Sequence, residues 1–105
     1  MDQVHVLYQS VFQIANRFLN QAHIFSIAEL KAHNDPTYDE LAKFAHKVAQ
    51  ILAKLAEIGE WDEERIALNA RQAALHMEEM AIAINKEDKE KLDAAAAKLA
   101  DMPFI

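Results

Sequence analysis

Apolar positions recur at helical spacing almost from one end of this chain to the other. From Val4 onward, Val4, Leu7, Val11, Ile14, Ala15, Phe18, Ala22 and Phe25 project to one side of a helix, and Tyr8, Phe12, Leu19 and Leu30 widen that side. A first helix is therefore predicted from about Asp2, whose carboxylate can cap the first amides, to about His33. It is expected to be the longest helix, and the one that the others cover. Asn34-Asp35-Pro36-Thr37 then reads as a tight turn, because proline disfavours the α conformation in the residue before it.

Thr37 followed by Glu40 is a capping-box pattern, with Asp35 as cap and Pro36 at the first helical position as its competitor. The second helix extends to about Ile58, with Leu41, Phe44, Ala45, Val48, Ile51, Leu52, Leu55 and Ile58 on one face and Lys43, Lys47, Gln50, Lys54 and Glu57 on the other. Gly59 sits where a helix end often turns left-handed. A third helix is expected from Asp62 as cap, with Glu63 and Glu64 in its first turn, to about Ile84. A fourth, capped by Asn85 or Asp88 and carried by Leu92, Ala95, Ala96, Leu99 and Met102, ends at Pro103. Its alanines bury little area, so it should be the least stable of the four.

The third helix carries two apolar stripes. Ile66, Ala70, Ala73, Met77, Met80 and Ile84 define a core face, while Leu68, Leu75 and Ile82 repeat at seven-residue intervals nearly opposite. Short turns favour antiparallel neighbours, so the expected fold is an all-α, antiparallel four-helix bundle in up-down-up-down order with a long first helix. In such a bundle the second stripe faces water unless another chain covers it, and Ile24 and Ile27 likewise point away from the first helix's main face. Assembly with itself or with a protein partner is expected on these grounds.

Composition narrows the function. The 105 residues suffice for one domain, 1–105, and one Gly and two Pro leave few breaks. The absence of Cys removes disulfides, thiolate metal sites and a cysteine nucleophile, and a cytoplasmic location is the default expectation. The amino terminus has no signal-peptide pattern and no window is apolar for the length of a membrane span, so no membrane partner is expected. A net charge of −6 argues against nucleic acid and for a basic protein partner. Glu57, Glu60, Asp62, Glu63 and Glu64 crowd around Trp61, which is either a plug folded onto the bundle or an exposed binding anchor.

Catalytic chemistry finds little support. Ser10 and Ser26 lie within the first helix, where no oxyanion hole forms, and no glycine-rich loop could cradle a phosphate. Met77 and Met80 read as core fillers within the apolar stripe. His5, His23, His33, His46 and His76 are numerous, but no pair of Glu-x-x-His motifs supports a di-metal site. Glu29 with His33 and His76 with Glu79 read as local pairs, and no metal or cofactor is expected.

The segment Phe44-Ala45-His46-Lys47-Val48 resembles the histidine-bearing helix of histidine phosphotransfer domains, which are four-helix bundles of this size. That family carries a Lys three residues after the His and a neighbouring Gly, whereas this chain has Ala49 and Gln50. The departure removes a cation that would steady a phosphoryl group.

The leading expectation is a non-enzymatic protein-binding module, a homodimer or a partner-binding regulator of adaptor, inhibitor or immunity type. Its binding residues would be Leu68, Leu75, Ile82, Trp61, Ile24 and Ile27, with the acidic cluster steering a basic partner. Phosphoryl relay through His46 and a structural oligomer-forming role are the alternatives.

Overall fold

The computed structural model describes residues 3–22, 37–61 and 63–101. Four helices, α1 (Gln3–Gln21), α2 (Tyr38–Ile58), α3 (Glu64–Asn85) and α4 (Lys89–Ala100), pack against one another as an all-α four-helix bundle, with no strand among the described residues. α1 is 19 residues long, shorter than the 21 of α2 and the 22 of α3. The part of the expected first helix beyond Ala22 lies outside the described residues, as do Ile24, Ile27, Asp62 and the tail from Met102.

The expectation that the first helix organises the others gives way to α3, which packs against α1, α2 and α4. The α2–α3 pair is the most closely packed. Ala42, Ala45 and Ala49 on α2 and Ala70, Ala73, Ala74 and Ala81 on α3 are all buried, and small side chains allow two helix axes to approach. Around this seam stand the larger groups Phe18, Leu41, Leu52, Met77, Met80, Val11 and Val48, each almost inaccessible to solvent. The core face expected for α1 is buried from Val4 to Ala22, and no polar or charged side chain is fully buried among the described residues. Burial of this kind stabilises by about 25 cal/mol per Å² of apolar surface.

The expected up-down-up-down order fails at α1. Tyr8 stacks on Phe44 at 4.3 Å, near the start of α2, and Phe18 meets Trp61 edge-on at 6.5 Å, beyond its end. α1 therefore runs in the same direction as α2, and Ala22 and Thr37 lie at opposite ends of the bundle. The tight turn expected at Asn34-Asp35-Pro36-Thr37 lies outside the described residues, apart from Thr37. α2 with α3 and α3 with α4 are antiparallel, as His46 beside Glu78 and Lys98 beside Glu79 show.

Helix ends follow local chemistry. Thr37 caps α2 with the reciprocal box: its hydroxyl accepts from the Glu40 amide at 3.2 Å, and the Glu40 carboxylate accepts from the Thr37 amide at 3.4 Å. Asp88 caps α4 by accepting from the Lys91 amide at 3.1 Å. At the end of α3, the amides of Glu87 and Asp88 donate to Ile84 and Ala83 with Glu87 at φ 55°, a Schellman arrangement with a glutamate at the left-handed position. The cap of α3 departs from expectation. Glu63 occupies that position without a side-chain cap bond, and its carboxylate pairs with Arg65 instead.

Gly59 ends α2, but not in the left-handed conformation expected of it. Its φ is −69° and ψ 150°, and its amide donates to the Leu55 carbonyl at 2.7 Å. The Trp61 indole Nε1–H donates to the same carbonyl at 3.1 Å. A Cβ at position 59 would lie 2.8 Å from both the Leu55 oxygen and Trp61 Nε1, so glycine is required by close approach. Gly59→Ala should therefore destabilise the fold by about 1–3 kcal/mol, the usual cost of overpacking. Urea unfolding followed by fluorescence of Trp61, the only tryptophan, measures this, and an unchanged midpoint would refute the steric account.

Candidate protein-binding face

The outward side of α3 is apolar where a bundle helix is normally polar. Leu68 and Leu75 are each 58% exposed and Ile82 is 45% exposed, spaced over four turns of one helix. The arc is available because α3's neighbours occupy its other sides, leaving these residues opposite Ala70, Ala73 and Met77. Exposed apolar stripes of this length are characteristic of contact surfaces. Val6, Tyr38 and Ile58 are also exposed, on α1 and α2, and the exposure of Ile58 departs from the core position expected for it.

Beside the stripe, a shallow open groove of about 510 Å³ runs between α2 and α3. Leu75 forms part of its wall, with Ala49, Ala53 and Ala74 as small residues and His46, Gln50, Glu57, Arg71 and Glu78 as polar ones. His46 Nδ1 lies 2.7 Å and 3.0 Å from the two carboxylate oxygens of Glu78, tying α2 to α3 across the groove surface. Sequence reasoning missed Glu78 because it stands 32 positions from His46, and only the α2–α3 register brings them together. Arg71 was missed too, being an isolated cation on a helix face.

Trp61 takes the plug role rather than that of an exposed anchor. It is half-buried, packs against the core, meets Phe18 and is held by the Leu55 carbonyl. Glu57, Glu60, Glu63 and Glu64 are exposed, Asp62 lies outside the described residues, and the Arg65 pair offsets part of the negative charge. The acidic cluster therefore stays in solvent, at the α2–α3 turn rather than along the apolar stripe.

Of the remaining histidines, His5 lies on α1, and His23 and His33 are outside the described residues, as is Glu29. His76 is partly buried, with Nδ1 3.8 Å from the Glu79 carboxylate, too far for a hydrogen bond. Glu79 also approaches Lys98 at 3.7 Å. Among the described residues no three His, Asp or Glu side chains converge as metal ligands, and no helix is long and apolar enough to cross a membrane. No family model, curated protein or solved structure matches the chain.

The His46–Glu78 contact is solvent-exposed, so its contribution to stability should be small even though it bridges two helices. A double-mutant cycle with His46→Gln and Glu78→Gln, read by urea unfolding, should give a coupling below about 1 kcal/mol. A coupling several times larger would show that this pair, rather than the alanine seam, sets the α2–α3 register.

Proposed function

We propose that this chain is a non-enzymatic protein-binding module, a regulator of adaptor, inhibitor or immunity type that docks through the outer face of α3. The observation that carries the reading is the exposure of Leu68, Leu75 and Ile82 in one line on a helix whose other sides are occupied. Complete burial of such a side chain contributes about 1.5–3 kcal/mol, and these begin roughly half-buried. Three of them give a central apolar strip, while association itself costs at least about 4 kcal/mol, so polar groups beside the strip are needed as well. Arg71, Glu78, Gln50 and His46 line the same groove as Leu75 and can supply orientation.

Leu75→Glu places a charge at the centre of the strip without touching the core. The variant should keep its helical circular dichroism and lose assembly or partner binding by at least tenfold, measured by light scattering and by titration of any bound protein. Unchanged assembly and unchanged binding in a folded variant would remove this face as the contact surface.

A second reading is supported by the groove. Glu78 engages Nδ1 of His46, a contact that favours the proton on that nitrogen and leaves the Nε2 lone pair for a phosphoryl acceptor role, with Arg71 on the same groove. Arg71 would supply the cation that Ala49, standing where histidine phosphotransfer domains carry a Lys, does not. Incubation with acetyl phosphate should then add one phosphoryl mass that is acid-labile and absent in His46→Gln. No mass increase at any donor concentration would eliminate the relay.

A further inference from the structure

We propose that the occupant of the α3 face is a second copy of the chain, docked with the two α3 helices antiparallel about a two-fold axis through Leu75. The proposal rests on the reading of this face as a protein contact surface and names its partner. Its first support is symmetry. Leu68 and Ile82 are equidistant from Leu75, so a two-fold axis perpendicular to α3 at Leu75 sets Leu75 against the partner's Leu75 and Leu68 against the partner's Ile82. Intervals of seven residues drift slowly around a helix of 3.6 residues per turn, which suits a left-handed crossing near 20° along about 21 Å of seam.

Charge supplies the second support, and it selects the direction. A two-fold axis of this kind brings the same flank of both helices together. Arg71 precedes Leu75 by one turn and Glu78 follows it by nearly one turn on the same flank, so Arg71 comes level with the partner's Glu78, and Glu78 with the partner's Arg71. Farther out, Glu64 at the start of α3 and Lys86 at its end are also equidistant from Leu75, placing Glu64 beside the partner's Lys86. Arg71, Glu64 and Lys86 have no ion-pair partner among the described residues of their own chain. A parallel docking would instead align Glu64 with the partner's Glu64 and Glu78 with the partner's Glu79, like charges in both cases. The antiparallel register thus pairs opposite charges at four places around an apolar seam.

Because the chain has no cysteine, single substitutions read the register directly. Leu75→Cys should form a disulfide-linked dimer under mild oxidation, since a bridge requires Cα atoms within about 7 Å. Leu68→Cys and Ile82→Cys should each fail alone and cross-link when mixed. Light scattering should also show Arg71→Glu and Glu78→Arg weakening the dimer at least tenfold separately and forming a heterodimer together, because the mixture restores both opposite-charge pairs.

Cross-linking of Leu68→Cys to itself as readily as Leu75→Cys would overturn the antiparallel register while leaving the face a contact surface. A wild-type monomer at every concentration, with none of the cysteine variants linking, would overturn the second copy as occupant. In that event a loss of heterologous binding in Leu75→Glu would still preserve the functional reading, whereas unchanged binding would end both.

Discussion

The close seam between α2 and α3 is the contact on which the rest of the molecule depends. Buried alanines on both helices bring the backbones together, so the bulky residues of each helix are displaced toward its other sides. On α2 these are Leu41, Val48, Leu52 and Leu55, all buried in the core. On α3 they are Met77 and Met80, which complete the core. The same closeness fixes the register that sets His46 against Glu78 and opens the shallow groove beside Leu75. The close packing of α2 on α3 therefore bears on both the core and the candidate contact face.

Much of this was legible in the sequence because it is local. The helical period identified four elements, the Thr37–Glu40 box and Asp88 placed two helix starts, and the spacing of Leu68, Leu75 and Ile82 placed them outside the core. What failed was non-local. The direction of α1 depends on which aromatic residues meet across the bundle, and Tyr8 with Phe44 has no signature in either helix alone. Gly59 was recognised as a helix end for the wrong reason: its role depends on Trp61 folding back over Leu55, a contact that a conformational preference does not encode. Glu63 in the cap position shows the limit of counting carboxylates, since its side chain pairs with Arg65 instead of an amide.

The aromatic contacts explain why α1 can belong to the bundle without contributing to its tightest seam. Tyr8 and Phe18 are large groups at opposite ends of α1, and each meets an aromatic partner near an end of α2. Two such contacts set both the direction and the height of a helix, where a uniform aliphatic stripe would allow it to slide. Burial lifts the Tyr8 hydroxyl above its ordinary pKa, with the Glu40 charge as a lesser cause, so the neutral phenol is the form that this end of the bundle accommodates. That contribution is complete below pH 10 and declines as the pH rises toward the elevated folded value, because the unfolded chain gives up the proton first.

The weak member of the bundle is α4, and its weakness bears on the outer face of α3. α4 is 12 residues long and buries only Leu92, Ala95 and Leu99 fully, so it covers just the carboxyl-terminal part of a 22-residue neighbour. The remaining arc of α3 then has to be either polar or covered from outside. At Arg71 and Glu78 it is polar, and at Leu68 and Leu75 it is not. An apolar line interrupted by charges is poorly suited to a core, where each charge would have to be desolvated, and well suited to an interface, where the charges remain at the rim and select the orientation of what docks.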